Sequence, residues 1–519
     1  MNTEGTCQGR YDLLVADREV YLTRARDCAK LTIPTLIPLS GSGKNTAFPT
    51  PYQGVGARGV NNLASKLLLS LFPPNSPFFA MRVDDFAAEE IGQEKGARAK
   101  VDEGLGKYER SVMQSIEDSG DRSAHFEALK HLIVAGNVLL YLPKDGGTRV
   151  FPLSRYVTVR DPMGHMLETI IEEEMAYVSL PQDLKELIDV NERGAETKVD
   201  PKATIKLHTK FYLEGNKVLS YQEIDGMRVP SSEGSWPKDK SPIIALRWTR
   251  VDGEDYGRSY VEEYLGDLIS LEGLSKALLE ASAAAARLVF MVTPNGTTKA
   301  RDVMTAENGA AVSGRAEDIT TLKVDKASDM SVAQQQIGTI TERLAYAFLM
   351  NSAVQRGGER VTAEEVRYMA GELEDALGGV YSILSQEYQL PYVMRVIDRL
   401  TRNKMLPALP KGIAKPTIVT GLEALGRGHD LSKYDMFLKA LSPLGPEVLQ
   451  SEMNVGDYIT RIGTALGIDL DGLVKSADQK AQEQADAQAQ QQQAQRMEMV
   501  QGAVPALAKE GAAALAGGM

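Results

Sequence analysis

Asn351–Pro391 has the sequence NSAVQRGGERVTAEEVRYMAGELEDALGGVYSILSQEYQLP, which predicts a helix end, a glycine hinge, a charged loop and a second long helix. Thr362 is suited to cap the second helix, and Glu365 can reach back to the Thr362 amide. Val361 and Val366 can close over the first turn as a hydrophobic staple. The segment therefore predicts two helices joined by a flexible connection.

Apolar side chains at helical spacing continue on both sides of this connection. The downstream stripe consists of Val366, Met369, Leu373, Leu377, Val380 and Leu384. The upstream stripe consists of Ile337, Ile340, Leu344 and Phe348. The connection Arg356–Arg360 contains two glycines and three charged residues, so we expect a mobile loop on a rigid base. That arrangement suits a moving part that touches a polyelectrolyte.

This segment and most of the surrounding chain resemble a known protein family. The similar blocks come in the family's order: Val55–Phe79, Phe126–Pro143, Asp252–Leu274, Asn351–Pro391 and Gly421–Leu431. They resemble the portal, or head-to-tail connector, proteins of short-tailed bacteriophages that have their own single-subunit RNA polymerase. None of the blocks is a catalytic motif, and the resemblance is poor in the first residues and after about Asp478.

The resemblance implies an α+β portal fold assembled as a ring, with a dodecamer as the expected state. Its parts would be a mixed wing (1–260), a stem helix (261–290), a clip lobe (291–330), a second stem helix (331–355), a channel loop (356–361), a long wing helix with a return to the wing (362–420), a helical crown (421–497) and a disordered tail (498–519). The implied channel-loop residues are Arg356, Gly357, Gly358, Glu359 and Arg360. The implied clip residues for terminase or tail docking are Lys299, Arg301 and Arg315.

The resemblance also implies partners and a place in the virion. The ring would assemble in the host cytoplasm with scaffold and capsid proteins, nucleate the capsid and occupy one vertex. Terminase would dock on the clip and drive double-stranded DNA inward, and a tail adaptor would later bind the same lobe. The crown would face internal core proteins, and DNA would leave through the ring without being read in sequence. No enzyme activity, cofactor, metal or membrane contact is expected.

The chain is acidic, with 70 Asp and Glu against 58 Lys and Arg and a net charge of −12. Proteins that bind DNA tightly over a large face are usually basic, because neutralising phosphates drives affinity. The composition therefore indicates either no contact with nucleic acid or a conduit that lets it slide. An acidic wall would repel phosphate, while a few basic side chains on a loop contact it weakly.

Cysteine usage and hydropathy indicate a protein made without export. Cys7 and Cys28 are the only cysteines, which is no disulfide framework and fits a reducing cytoplasm. The N-terminal residues lack the apolar core of a signal peptide. The longest apolar run, Leu132–Leu142, is too short to cross a bilayer and contains Asn137.

Periodicity predicts helices up to about Lys144, including Asn61–Phe72 and a segment that changes from helix to strand after Gly136. Strands follow between Thr148 and Arg250. The alternation of Ile205, Leu207, Thr209, Phe211 and Leu213 with Lys206, His208, Lys210 and Tyr212 predicts a half-buried strand. Turns are expected at Asp161–Gly164, Glu214–Lys217, Asn295-Gly296 and Asn308-Gly309.

Long helices are expected from about Val261 to Phe290 and from about Ser331 to Gln355. The first carries Leu265, Leu268, Leu271, Leu274 and Leu278 on one side. Between them, residues 291–330 are turn-rich and mixed. The Gln- and Ala-rich stretch Gln479–Arg496 favours helix but has a weak apolar stripe.

Two glycine-rich segments invite a nucleotide-binding interpretation. Gly54–Gly59 fits G-x-G-x-x-G, but no apolar strand precedes it, so a helix start with close-packed glycines is the better interpretation. Gly41–Thr46 resembles the end of a phosphate-binding loop, but Pro38 and Asn45 stand where that motif needs Gly and Ser or Thr. A flexible loop is therefore expected there.

The histidine and charge clusters have ordinary structural interpretations. His125, Glu127 and His131 could suggest a metal site, but the two histidines lie on different helix faces. Glu172–Glu174 is expected to face solvent. For Glu372, Glu374 and Asp375, solvent exposure competes with subunit contact or channel lining in a ring. For Arg356 and Arg360, an ordinary surface loop competes with contact to DNA phosphates.

Two other function classes stay open on sequence alone. One is an enzyme that uses the incomplete phosphate loop, and it would hydrolyse nucleotides in isolation. The other is a structural protein of the capsid or tail without a channel. A ring with a central hole would distinguish the portal interpretation from both.

Overall fold

The computed structural model describes residues 5–39, 46–74, 77–83, 97–144, 146–180, 204–286, 290–321, 327–350, 379–407 and 414–419, with isolated positions elsewhere. The predicted channel loop 356–361, the start of the helix at Thr362, the acidic residues Glu372, Glu374 and Asp375, nearly all of the predicted crown 421–497 and the tail 498–519 lie outside the described residues.

The chain divides into two compact units. The first comprises Met1–Asp84 and Tyr108–Leu425, and the second comprises Asp85–Lys107 and Gly426–Met519. The sheets and the helices that pack on them belong to the first unit.

The helices in the described ranges are α1 (Cys7–Leu31), α2 (Val55–Leu71), α3 (Ala97–Asp118), α4 (Asp121–Ala135), α5 (Tyr260–Glu263), α6 (Leu265–Ala285), α7 (Ala300–Thr305), α8 (Ala327–Ala347), α9 (Gly379–Leu384) and α10 (Leu390–Arg402), with a π turn (Ser385–Gln389) between the last two. The strands are β1 (Phe79–Val83), β2 (Asn137–Tyr141), β3 (Arg149–Pro152), β4 (Tyr156–Arg160), β5 (Met166–Ala176), β6 (Thr204–Glu214), β7 (Lys217–Ile224), β8 (Met227–Arg228), β9 (Gly234–Pro237), β10 (Ile243–Arg247), β11 (Phe290–Val292), β12 (Ile319–Thr321) and β13 (Ala414–Ile418). The predicted mixture of helices and strands is confirmed.

The main sheet has the order β4-β5-β6-β7-β8, with β9 also paired to β7. A three-stranded sheet, β10-β2-β3, and the pairs β1-β13 and β11-β12 complete the described strand pairings, which are all antiparallel. The predicted turns of the main sheet are confirmed: Glu214 faces Lys217 in register, and the Gly164 amide donates to the Asp161 carbonyl at 2.8 Å.

Gly136 converts helix α4 into strand β2, as predicted. Its φ of +69° is left-handed, and its amide donates to the Leu132 carbonyl at 2.9 Å. A Cβ at this position would lie 2.5 Å from the Arg258 carbonyl carbon. Both the backbone angle and the close approach require glycine here.

Strand β6 is half-buried as predicted, except that one residue of the face expected to be polar is buried as well. Leu207 and Phe211 are buried as expected. His208, on the face expected to be polar, is only 1% exposed. The reason is α1, which packs on the sheet and brings the Tyr11 ring to 5.4 Å from the His208 ring. Local alternation cannot reveal a helix that arrives from two hundred residues away.

The acidic run Glu172–Glu174 lies in strand β5 and is paired with basic side chains, so its predicted exposure to solvent is wrong for the first two residues. Glu172 accepts from the Lys206 ammonium at 3.0 Å and lies 3.5 Å from the His208 imidazole. The His208 imidazole and then the Lys206 ammonium lower the pKa of Glu172 from 4.5 to about 2. The Glu173 side chain is 17% exposed and pairs with Arg149, and the exposed Glu174 pairs with Arg155.

The two predicted long helices exist, but the predicted C-terminal end of each helix is wrong. A break at Tyr264 separates the short α5 from α6, and α6 ends at Ala285, before Phe290 enters strand β11. Helix α8 ends at Ala347, eight residues before the predicted Gln355, and Leu349 has a φ of +54°. The ion pair between Arg343 and Asp267, 3.0 Å long, joins the end of α8 to the start of α6, so the two helices run antiparallel.

The apolar stripes of these helices are only partly covered by their own chain. Ile340, Leu344 and Phe348 are buried, as are Leu268 and Leu271. Further along, Leu274 and Leu278 are half-buried. On other faces of the pair, large apolar side chains lie open to solvent: Ile269 at 56%, Leu279 at 58%, Val332 at 59% and Tyr346 at 80% exposure.

Within the described ranges, no helix is both long and apolar enough to span a bilayer. Cys7 and Cys28 are both buried in α1 as free thiols.

We predict that Leu344→Asp disrupts folding or assembly. The Leu344 side chain is fully buried, and an unpaired carboxylate there should cost several kcal/mol. Gln336→Asp on the exposed side of the same helix is the control and should melt within a few degrees of the parent. Thermal unfolding and native mass measurement check this, and normal particles from Leu344→Asp would show that the buried face is assigned wrongly.

We predict that Glu172→Gln lowers stability at neutral pH by about 1–2 kcal/mol, because the charge-assisted contacts to Lys206 are lost. Since folding lowers the pKa of Glu172, its contribution is complete above pH 4.5 and disappears as the pH falls to about 2. The stability difference between parent and variant should therefore shrink over that window in acid denaturant titrations. A constant difference across the window would contradict the assignment, and the more exposed Glu174→Gln should have little effect at any pH.

Candidate functional site

A small lobe between α6 and α8 contains the predicted docking residues. Strands β11 and β12 close it as an antiparallel pair in which Met291 faces Thr320. Helix α7 and two turns lie between the strands. The predicted turns are confirmed: the Gly296 amide donates to the Thr293 carbonyl at 3.0 Å, and Gly309 has a φ of +86°.

A buried hydroxyl and a carboxylate hold this lobe together in place of an apolar core. Among the described residues 290–320, Thr298 is the only one that is buried. Asp318 accepts hydrogen bonds from the Thr298 amide, the Thr298 hydroxyl and the Thr297 hydroxyl, each at 3.1 Å. Burial opposes ionisation, but these hydrogen bonds outweigh it and lower the pKa of Asp318. The Arg315 amide in turn donates to the Thr298 hydroxyl at 2.9 Å.

Two glycines allow this polar centre to close. A Cβ on Gly296 would lie 2.6 Å from the Asp318 carboxyl carbon, and one on Gly314 would lie 2.1 Å from the Thr298 hydroxyl. Neither position has room for a side chain, so the chain can approach the centre at these two places only because the residue is glycine. The lobe therefore keeps a fixed shape although most of its side chains face solvent.

The predicted docking residues lie on the surface of this lobe. Lys299 and Arg315 flank the Thr298 centre on two chain segments, and Arg301 follows in the first turn of α7. All three side chains are exposed, and none forms an ion pair with another described residue. The structure thus brings three exposed basic side chains to one lobe that also carries Asp302, Glu307, Glu317 and Asp318, while the role of the basic residues in docking stays a prediction.

The sequence analysis missed the exposed apolar side chains of the same lobe. Phe290 is 51% exposed, Met291 55% and Met304 84%. Apolar residues inside a turn-rich, otherwise polar segment were the available signal. Together with the positive charges they make the lobe a candidate protein-docking surface.

The predicted channel-loop residues Arg356–Arg360 lie outside the described residues, but the chain up to Met350 and again from Gly379 is described. At the upstream end, three side chains donate to the carbonyls of the last residue of α8 and of the two residues that follow it. The Ala347 carbonyl accepts from the Tyr260 hydroxyl at 2.7 Å, and the Phe348 carbonyl accepts from the Asn62 amide at 2.9 Å. The Leu349 carbonyl accepts from the Lys66 ammonium at 2.9 Å, and Lys66 is only 6% exposed.

The glycines of Gly54–Gly59 serve close packing at this place, which confirms the helix-start interpretation. A Cβ on Gly59 would lie 2.7 Å from the Phe348 ring, and one on Gly56 would lie 2.4 Å from the Leu31 carbonyl. Helix α2 begins at Val55, so the pattern sits at its first turn. The incomplete phosphate loop cannot be assessed, because residues 41 and 43–45 lie outside the described residues.

At the downstream end, the same helix α2 holds the chain after the loop. The Tyr381 hydroxyl lies 2.8 Å from the Ser70 hydroxyl, and the Gln389 side-chain amide donates to the Leu71 carbonyl. Leu373, Leu377 and Leu384 are buried, which confirms the described part of the predicted stripe. Val366 and Met369 lie outside the described residues. Helix α2 therefore contacts both flanks of the predicted loop.

Two tyrosines, Tyr388 in the π turn and Tyr392 in α10, contact residues near the start of α4. The Tyr388 hydroxyl lies 2.7 Å from His125 Nδ1, and the Tyr392 hydroxyl donates to the Asp121 carboxylate at 2.8 Å. His125 stacks on Phe72 with ring centroids 4.2 Å apart, and burial lowers its pKa to about 4. It is therefore a neutral core histidine, and His131 lies apart from it, 3.9 Å from the Glu127 carboxylate. In the part of the chain that the structure describes, no group of three potential ligands could hold a metal ion.

Comparison with known proteins gives one consistent family. The model of the family described as "Bacteriophage head to tail connecting protein" matches residues 4–474. The portal protein of Escherichia phage T7 is 44% identical over 516 residues, which cover 98% of this chain and 92% of that protein. The portal protein of Enterobacteria phage T3 is 44% identical over 481 residues, which cover 92% of this chain and 89% of that protein.

Among solved structures, the chain is similar to one in the neck of an empty GTA particle computed with C6 symmetry. The two share 13% identity at a TM-score of 0.34, with 76% of this chain and 87% of that chain covered.

We predict that Lys66→Met loosens the end of α8. The variant keeps the aliphatic stem but removes the ammonium donor, so the Leu349 carbonyl keeps only the Asn62 side-chain amide, 3.0 Å away, and the loss of one hydrogen bond should cost about 1 kcal/mol. Hydrogen exchange at the Phe348 and Met350 amides should accelerate accordingly. Lys276→Met, at a side chain that is 52% exposed, is the matched control and should leave these amides unchanged. Equal protection in both variants would mean that Lys66 does not hold this segment.

Proposed function

The chain belongs to the bacteriophage head-to-tail connecting, or portal, protein family, and from this membership we propose that it forms the DNA channel at one vertex of a phage capsid. It joins head to tail and passes DNA during packaging and ejection. It acts as a structural conduit, not as an enzyme.

The observation that carries the proposal is the antiparallel pair α6–α8, which ends in the polar-centred lobe. The pair leaves Ile269, Leu279, Val332 and Tyr346 exposed in a single chain. Large apolar side chains left open on neighbouring helices favour burial against another copy. Identical copies that meet through such a heterologous contact close into a ring when the rotation between them fits.

In this proposal α6 and α8 form the stem, and the lobe at residues 290–321 forms most of the clip. Residues 1–260 and 362–420 supply the wing, and residues 421–497 supply the crown. A dodecamer is the proposed state. The ring sits at the capsid vertex of the virion, after assembly with scaffold and capsid proteins in the host cytoplasm.

The lobe is the proposed docking surface for terminase during packaging and for the tail adaptor afterwards. Its exposed Met304 and Phe290 and its exposed Lys299, Arg301 and Arg315 support this role. Both partners would use one surface in sequence, so they would compete for it. Internal core proteins are the proposed partners of the crown.

The channel loop is proposed to be Arg356–Arg360. It would project from the chain segments that pack on α2. With a net charge of −12, the chain as a whole repels phosphate. Arg356 and Arg360, repeated around a ring, would form a local basic collar. Such a collar contacts DNA without reading its sequence, since phosphate contacts carry no base information.

Native mass spectrometry and a packaging assay test the proposal together. The purified protein should have the mass of a closed ring, and procapsids assembled with it should package DNA, whereas procapsids without it should not. A stable monomer in physiological salt would overturn the ring. A solid particle that supports no packaging would favour a capsid or tail component without a channel.

We predict that Arg356→Ala combined with Arg360→Ala leaves the ring intact and impairs DNA packaging or retention. Exposed loop charges contribute little to folding stability, so the effect should fall on DNA movement. It should depend on salt, because phosphate contacts are screened. The control, Arg24→Ala with Arg228→Ala, removes the same charge from exposed positions outside the loop. Parental packaging and retention by the loop variant across a range of salt would make its arginines ordinary surface charges.

A further inference from the structure

Three basic side chains share a single carboxylate on helix α10. Asp398 lies 2.9 Å from Arg395 Nη1, 2.9 Å from Arg402 Nε and 3.3 Å from Lys240 Nζ. The carboxylate is nearly buried, with 8% of its side chain exposed. Lys240 comes from the short helical turn Lys238–Lys240, which packs against α10.

This cluster has more positive charge than its carboxylate neutralises. Arg399 lies on the same helix, one residue beyond Asp398, and donates to the Gly146 carbonyl at 2.8 Å. We name Lys240, Arg395, Arg399 and Arg402 the α10 basic cluster. Within the described ranges, Asp398 is the only carboxylate that forms an ion pair with any of the four. This local excess of positive charge contrasts with the net charge of −12 of the whole chain.

The cluster has a fixed base and open donors. The Arg395 side chain is 6% exposed, so its pair with Asp398 forms the base. Arg402 uses Nε on Asp398, while its side chain is 43% exposed and its two terminal nitrogens contact no acceptor in the described part of the chain. The Lys240 side chain is 42% exposed and has three N–H groups, one of which can face Asp398. Donors therefore stay open toward solvent.

We propose that the α10 basic cluster binds the phosphodiester backbone of double-stranded DNA without sequence preference. Guanidinium forks match phosphate oxygens in a two-bond geometry, and lysine adds a point charge. Tyr392, the ring beside Arg399, is fully buried, whereas binders of single strands combine basic residues with open rings on which bases stack. The cluster is therefore suited to the outside of a duplex.

This site is separate from the channel loop. The proposal rests on the proposed function, because that function makes DNA the polyanion that this protein meets. Its side chains stand on a folded helix with a buried ion pair beneath them, so their spacing is fixed before any ligand arrives. Preorganised donors lose less side-chain entropy on binding than the same residues on a loose segment. The cluster would hold DNA at a fixed place on the protein, in addition to any contact at the loop.

The test compares full-length Lys240→Gln/Arg402→Gln with the control Arg10→Gln/Arg228→Gln. The control removes the same charge at side chains that are 44% and 53% exposed and that have carboxylate partners elsewhere. In the test variant Asp398 keeps Arg395, so its buried charge stays paired. Binding of a fluorescent duplex of about 40 base pairs is measured by anisotropy across a salt series, because the slope against salt counts phosphate contacts.

The test variant should bind the duplex at least about tenfold more weakly at low salt, with a slope shallower by about 2, since each lost contact removes about 0.9. The control should stay within about twofold of the parent. Arg399→Gln gives a second measurement that leaves Asp398 untouched, and it should lower the slope by about 1. If the double variant does not fold, the Arg399→Gln result decides.

Equal DNA binding by test and control variants would overturn the cluster as a DNA site. Loss of binding to a poly-glutamate peptide, with DNA binding unchanged, would assign the cluster to an acidic protein partner instead and also overturn it. Native mass measurement of each sample separates this from the proposed function. Rings with unchanged DNA binding refute only the cluster, whereas an absence of rings in the parent protein refutes the portal assignment.

Discussion

Helix α2 carries polar groups that need hydrogen-bond partners. The chain before and after the predicted channel loop supplies these partners. The Lys66 ammonium and the Asn62 amide reach the Leu349 and Phe348 carbonyls just after α8, and Leu71 and Ser70 contact Gln389 and Tyr381. A buried donor or acceptor left unpaired costs about 1–3 kcal/mol, so these contacts reinforce one another. One helix therefore holds both the chain at Phe348–Leu349 and the chain at Tyr381–Gln389.

The same constraint explains why the glycines of α2 are where they are. Gly56 and Gly59 let the helix approach the end of α1 and the Phe348 ring without a side chain between them. Without that approach, Asn62 and Lys66, one and two turns further along, would not reach their carbonyls. A sequence pattern that imitates a nucleotide fingerprint thus serves to bring two helix ends together. The position of the chain segments before and after the predicted loop depends on this packing more than on the loop's own sequence.

Features with a local cause could be predicted from the sequence. Gly136 as the change from helix to strand, the turn at Gly215, the antiparallel helix pair and the buried Leu344 follow from backbone limits or periodicity. The failures have long-range causes. His208 is buried because α1 covers β6, and α8 ends at Ala347 because Tyr260, Asn62 and Lys66 cap it there. The Asp318 centre escaped notice because Thr298 lies twenty residues before the carboxylate, and the α10 basic cluster because Lys240 comes from a distant segment and helical spacing alone did not show that Asp398 is buried. The docking role of Lys299, Arg301 and Arg315 and the role of Arg356 and Arg360 stay predictions.

The central claim is that copies of this chain close into a ring through the open faces of α6 and α8. A cryo-electron microscopy reconstruction of the purified full-length protein measures this most directly. The account predicts a ring with an open central channel, in which Ile269, Leu279, Val332 and Tyr346 lose most of their exposure to a neighbouring copy and Arg356 lies at the channel. A particle without a hole, or a ring in which these four side chains still face solvent, would contradict it.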